Sequence, residues 1–169
     1  MDARNSLYGL NRQALITHLD GLHTALGYLC LSTAGLVIGS SSTLKVKIAN
    51  TVTYLSAGIF KSKTTAEVAF TTTTHNITAS TSAVQEACYL LTLDASGTPT
   101  LTMGTIASGA GTALLPAVPA GGSVIGYVRV AVAAGATSFA ANSDALSASH
   151  LTVTYYNMAF LFPRFDAAQ

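Results

Sequence analysis

The chain has 169 residues, of which half are hydrophobic and only 9% are charged, and its formal net charge is +1. That length supports one sizeable core with a helical extension. The near-neutral charge excludes a strong electrostatic footprint for nucleic acid or an anionic membrane. A surface so poor in charge is unusual for a lone soluble monomer. We therefore expect further copies of the chain, or a larger assembly, to cover much of it.

Near the N-terminus, leucines recur with alternating steps of four and three residues. On an α-helix this spacing makes one narrow stripe, as in the seam of a coiled coil. We predict a helical segment within residues 1–34 that serves oligomerisation or anchoring. An amphipathic helix packed on its own β domain is the alternative. The leucine seam consists of Leu15, Leu19, Leu22, Leu26 and Leu29.

The same region contains an uncharged run, residues 21–44, that is longer than the ~20 residues a bilayer requires. His23, four glycines and the serines at 40–42 interrupt that run. The first 13 residues also lack the early apolar core of a signal peptide. We expect neither membrane insertion nor a cleaved leader.

After Gly35 the pattern changes from helical to alternating. Val46 and Ile48 share one face of a predicted strand, while Lys45 and Lys47 share the other. Further strands follow at 51–55 and 67–72, and the last predicted strand covers 151–156. Strands at roughly 8–12 residue intervals with short turns are typical of a sandwich or barrel. We predict a mainly β chain, with an antiparallel β-sandwich or barrel domain over residues 35–169 preceded by an N-terminal α-helix.

The clearest strands lie in the middle of the chain. Residues 85–106 predict a β-hairpin whose turn is residues 94–97. Residues 114–122 contain Pro116 and Pro119, which have no N–H to donate to a neighbouring strand. We therefore predict that this segment is not a central strand but leads into the strand that follows it. From residue 124 onward, alternation places Val124 and Val128 on the core face and Ile125 on the opposite face with Tyr127 and Arg129.

Aromatic residues are concentrated near the C-terminus. Five of the chain's 7 tyrosines and 6 phenylalanines lie between residues 155 and 165. Either the tyrosines finish the last strand while the phenylalanines fill the core, or the segment docks on another subunit. The partner-docking hypothesis names Tyr155, Tyr156, Phe160, Phe162 and Phe165.

The sequence carries no recognisable catalytic or ligand-binding motif. It has no nucleophile elbow, phosphate-binding loop or zinc-binding spacing. The acids at 67, 86, 94 and 144 are widely scattered, so a carboxylate pair would have to be assembled by tertiary structure alone. We expect no enzyme activity, no cofactor and no metal. Cys30 and Cys88 are expected to be buried free thiols.

One resemblance emerges from residues 89–105, YLLTLDASGTPTLTMGT, followed by residues 115–132, LPAVPAGGSVIGYVRVAV. A hairpin with an Asp-x-x-Gly turn, a proline-containing arm and a valine-rich strand resemble repetitive patterns in virion proteins of tailed bacteriophages. The segment looks like part of a head decoration, cement or head-fibre protein. The resemblance implies a homotrimeric β domain mounted on the major capsid protein through a terminal segment, and it assigns no binding residues.

We therefore expect a structural protein of the virion, made in the host cytoplasm and located on the capsid surface, with no nucleic acid or membrane partner. Three alternatives stay open. The first is a tail-fibre or baseplate protein that recognises a host surface glycan. The second is a non-viral secreted adhesin with a Cys30–Cys88 disulfide. The third is an enzyme of unknown type.

Overall fold

The protein is mainly β, and its strands form antiparallel sheets. The computed structural model describes residues 14–20, 26–70, 74–141 and 143–159. Residues 14–20 form helix α1, and Leu26 is again helical. No helix among these residues is long and apolar enough to cross a membrane. The strands are β1 (Leu36–Ile38), β2 (Lys45–Ile48), β3 (Val52–Ser56), β4 (Ile59–Lys63), β5 (Ala66–Ala69), β6 (Gln85–Leu93), β7 (Pro99–Met103), β8 (Ala107–Ser108), β9 (Ser123–Val132) and β10 (Leu151–Asn157).

A small sheet has the strand order β1-β2-β5. Val46 and Ile48 of β2 are fully buried, whereas Lys45 and Lys47 on the opposite face are partly exposed. The predicted alternation of β2 is confirmed. Val46 lies opposite Val68 of β5, so cross-strand valines contribute to one apolar face.

A larger sheet has the order β10-β9-β6-β7, with β8 also paired to β6. The β6–β7 hairpin has the predicted turn at residues 94–97. One carboxylate closes that turn. Asp94 Oδ1 accepts 2.8 Å hydrogen bonds from the backbone N–H groups of Ser96 and Thr98. Gly97 adopts a φ of 80°, a backbone conformation that glycine tolerates and most residues do not.

These two sheets and the two-stranded β3–β4 sheet contribute to one hydrophobic core, which gives a sandwich-like arrangement and confirms the predicted fold class. The small sheet supplies Leu36 and Ile48, and the large sheet supplies Tyr89 and Val130. Segments between the strands also contribute side chains to this core. Phe70 packs edge-to-face on Tyr89, with ring centroids 4.9 Å apart. Such pairs stabilise a core beyond their buried area.

The segment after helix α1 pairs with the β3–β4 hairpin. The Leu31 N–H donates to the Thr53 carbonyl at 2.8 Å, and the Leu55 N–H donates to the Leu29 carbonyl at 2.7 Å. Leu29 is therefore extended, and its predicted place in a helical seam is wrong. Leu29 continues the leucine spacing, but the chain turns at residues 27 and 28, and its backbone then pairs with β3.

The predicted faces of β9 need a correction at its start. Ile125 is fully buried and Val124 is partly exposed, the reverse of the simple alternation. The register explains this, since Leu91 lies opposite Gly126 while Thr92 lies opposite Val124. Ile125 is the extra residue of a β-bulge, which shifts the alternation by one position. Beyond the bulge, the valines face the core and Tyr127 and Arg129 face outward, as predicted.

Candidate functional site

The leucine seam is exposed wherever helix α1 is described. Leu15 is 58% exposed, Leu19 is 54% exposed and Leu26 is 42% exposed, and every residue from 14 to 20 is exposed. Residues 14–20 therefore do not pack on the β domain in this structure. Leu22 lies outside the described residues. Whether these side chains meet a second copy stays a prediction.

The two tyrosines of the docking hypothesis lie on opposite faces of β10. Tyr155 packs against the core, and burial raises the pKa of its hydroxyl to about 12. Tyr156 stacks on Tyr127 of β9, with centroids 4.4 Å apart and planes 9° from parallel. Both tyrosines thus finish the last strand, as one of the two predictions stated. Phe160, Phe162 and Phe165 lie outside the described residues.

A proline-containing arm, residues 109–122, crosses the outer face of the large sheet. As a result, β6 is buried on both faces, although only one face of the large sheet packs on the hydrophobic core. The Cys88 thiol donates to the Ala113 carbonyl at 3.5 Å, and the Gly104 N–H donates to the Cys88 carbonyl at 2.8 Å. Residue 104 must be glycine there, because an added Cβ would lie 3.3 Å from the Cys88 carbonyl oxygen and closer still to that of Leu114.

Glu86 holds this arm through its buried carboxylate. Its Oε2 accepts a 3.0 Å hydrogen bond from the Gly111 N–H, and its Oε1 accepts a 3.2 Å bond from the Ala113 N–H. Arg129 Nε lies 3.4 Å from the same Oε1. Because an unpaired buried charge is strongly destabilising, these contacts explain how a carboxylate is tolerated in an otherwise apolar strand.

Arg129 occupies the centre of the outer face. Its guanidinium carbon lies 5.7 Å from the centroid of the Tyr156 ring. A hydrogen bond with the Cys88 thiol raises the pKa of Arg129, with a further contribution from the nearby Glu86 charge. Its side chain is 27% exposed, so the outer part of the guanidinium faces solvent.

This arrangement was not predicted from the sequence. The sequence places Glu86 among scattered acids and Arg129 on the outward face of a predicted strand, and 43 positions separate them. The register brings them together, because Arg129 lies opposite Cys88 and Ala131 lies opposite Glu86. A glutamate at the second position of β6, directly before an apolar run, was the only local signal for a buried charge pair.

The arm also carries exposed apolar side chains. Leu114 is 78% exposed and Val118 is 54% exposed. A cavity of about 500 Å³ lies between the arm and residues 103–107, with Met103, Ile106 and Leu115 in its wall. This surface exposes large apolar groups, as do the helix and strand β4 with Ile59 and Phe60.

Groups with chemical reactivity are sparse in the described part of the chain. No cluster of three or more His, Cys, Asp and Glu residues there could hold a metal ion. The acid–imidazole pair Asp144–His150 is loose, with Oδ2 and Nε2 4.0 Å apart. Cys30 and Cys88 are buried free thiols, as predicted, and burial raises the pKa of Cys30.

The comparisons with known proteins add no relative. No protein-family model matches the chain, no curated protein is significantly similar in sequence, and no solved structure is significantly similar in fold.

Proposed function

We propose that the protein is a structural virion protein of a tailed bacteriophage, a capsid decoration protein of the cement or head-fibre type that binds the head lattice as an oligomer. The observation that carries the proposal is the exposed leucine seam, with Leu15, Leu19 and Leu26 facing solvent. Large apolar groups at heptad spacing on an exposed helix favour a helical partner of the same kind.

The distribution of charge supports the same proposal. Between residues 64 and 163 the chain has only five Asp, Glu, Lys or Arg residues, and two of these, Glu86 and Arg129, contact each other. A surface with so few free charges suits burial between subunits and against a lattice. The resemblance to phage head proteins is the reason for proposing a trimer, since leucines at both seam positions leave the number of helices open.

Contact with the capsid is assigned to the C-terminal aromatic segment. Tyr155 and Tyr156 already make contacts within the β domain. The docking role therefore falls to Phe160, Phe162 and Phe165, which follow β10 in the sequence. Aromatic side chains are the usual anchors of protein–protein interfaces.

Gold-labelled antibody localisation on particles from the source lysate tests this function. We expect label spread over the heads, and we expect particles lacking the protein to lose integrity at a lower temperature, because each bound copy adds buried area at the lattice. Label confined to the tail tip would support host recognition instead. An absence of label on every particle would contradict the virion proposal.

A further inference from the structure

A cavity of about 320 Å³ opens on the outer face of the large sheet, beside the arm. Its volume is at the lower end of the range for small-molecule sites, about 300–1,000 Å³. β9 contributes Arg129 and Ala131 to its lining, and β10 contributes Thr152 and Thr154. The loop at residues 110–111 lines it as well. The cavity thus lies on two regular strands, which hold side chains more rigidly than loops do.

The sheet register explains why space remains there. Thr152, Ala131 and Glu86 form one row across β10, β9 and β6, and Thr154, Arg129 and Cys88 form the next. The central residue of the first row is an alanine, so this row has a gap between longer side chains. The arm crosses β6 beside the gap, held by the Glu86 carboxylate.

The lining offers more hydrogen-bond donors than acceptors. The hydroxyls of Thr152 and Thr154 have no hydrogen-bond partner among the described residues. Arg129 carries five N–H donors, and its buried Nε completes no hydrogen bond despite lying 3.4 Å from Glu86. Glu86 itself is almost fully buried and already accepts two backbone hydrogen bonds. A ligand rich in oxygen acceptors, with some hydroxyl donors, complements this set of groups.

The charges that line the cavity favour a neutral ligand over an anionic one. The Arg129 guanidinium and the Glu86 carboxylate lie in contact, so the site has no net charge. A carboxylate or phosphate ligand would approach Glu86 as well as Arg129 and would gain little. A purely apolar ligand would leave the guanidinium and two hydroxyls unpaired, which is costly when water is excluded.

We propose that this cavity binds one residue of a neutral saccharide, whose hydroxyl and ring oxygens accept hydrogen bonds from Arg129, Thr152 and Thr154. This inference goes beyond the proposed function, because it concerns a site within a single chain.

Saturation-transfer NMR on the full chain tests the site with the methyl glycosides of glucose, galactose, mannose, N-acetylglucosamine and glucuronic acid. We expect at least one neutral glycoside to bind saturably and the glucuronoside to bind more weakly. Thr154→Val keeps the β-branched shape and removes one hydroxyl, so it should weaken binding about three- to ten-fold, as expected for one hydrogen bond. Ala131→Leu should abolish binding by filling the gap.

Thr53→Val on β3 is the matched control, since Thr53 is a strand threonine outside the cavity, and it should bind like the wild type. Thermal unfolding of each variant establishes that it is folded. Three results would overturn the inference: no binding of any neutral glycoside, binding that survives Ala131→Leu, or binding of the glucuronoside alone. None of these outcomes bears on the location of the protein in a virion, which the gold labelling tests separately.

Discussion

At the scale of single residues, Glu86 is the side chain that holds the arm, residues 109–122, on the outer face of the large sheet. It is 2% exposed, and its two oxygens accept the N–H groups of Gly111 and Ala113. A hydrogen bond to a charged acceptor stabilises a fold more than one between neutral groups. The arm lacks regular strand pairing of its own between residues 109 and 122, so these two bonds, together with the bond from the Cys88 thiol to the Ala113 carbonyl, hold it on the sheet.

Glu86→Gln tests this dependence without changing the size of the side chain. The amide replaces one acceptor oxygen by a donor, which then faces a backbone N–H. We expect the free energy of unfolding to fall by about 1–3 kcal/mol in urea denaturation, with faster hydrogen exchange at Gly111 and Ala113. Thr154→Val, on the same outer face and at a hydroxyl with no hydrogen-bond partner among the described residues, is the control and should change stability less. Equal effects of the two substitutions would remove the special role of Glu86.

Glu67 provides a pH-dependent contact at the same scale. Hydrogen bonds from the Ser41 hydroxyl and backbone, together with those from Ser40, lower the pKa of Glu67 to about 2. A carboxyl whose pKa is lower in the folded state stabilises the fold above its unfolded pKa, near 4.5. That stabilisation is lost as the pH falls towards 2.

Carboxyl-detected NMR titration measures this value directly. We expect the Glu67 carboxyl to titrate near pH 2 in the wild type. It should titrate nearer its ordinary value in a Ser41→Ala variant, because the first hydrogen-bond donor is removed. An unchanged titration midpoint in the variant would show that Ser41 is not the cause.

At the scale of elements, most strands and the β6–β7 hairpin could be predicted from the sequence. Alternation of Val46 and Ile48 with lysines marks β2, and the Asp94 turn marks the hairpin, because both signals are local. The bulge at Ile125 carries no such signal, since period-two alternation assumes an unbroken register. Leu29 was misassigned for a related reason: heptad spacing continued in the sequence after the helix had ended.

Gly126→Ala tests the packing around the bulge. An added Cβ would lie 2.6 Å from Leu36 Cδ1 and closer to the Tyr156 carbonyl oxygen, at the contact between β9, β10 and β1. Overpacking of this kind costs about 1–3 kcal/mol. We expect that loss in denaturant unfolding, whereas Ala131→Ser, on the open face of the same strand, should stay within about 0.5 kcal/mol of the wild type. A fully stable Gly126→Ala protein would mean that β1 and β10 can separate at little cost.

At the scale of the whole molecule, the β domain buries its own core and exposes large apolar side chains at several places, Ile59 and Phe60 of β4 among them. Two of these surfaces are the helix face with Leu15 and Leu19, and the arm with Leu114 and Val118. Sequence spacing predicted the first, because coiled-coil seams have a local period. The arm surface and the cavity around Arg129 depend on strands that are distant in sequence. No local sequence motif therefore predicts them.

Native mass, measured by light scattering on the full chain, tests most directly whether this protein works as an assembly. The chain mass is 17.3 kDa, and we predict a particle of three chains at neutral pH. Leu15→Asp with Leu19→Asp should reduce it to one chain, because charges on an apolar seam are costly to bury. His18→Asp, a polar change at another position of α1, is the control and should leave the trimer intact. A wild-type mass of a single chain would contradict the leucine seam as an oligomer interface.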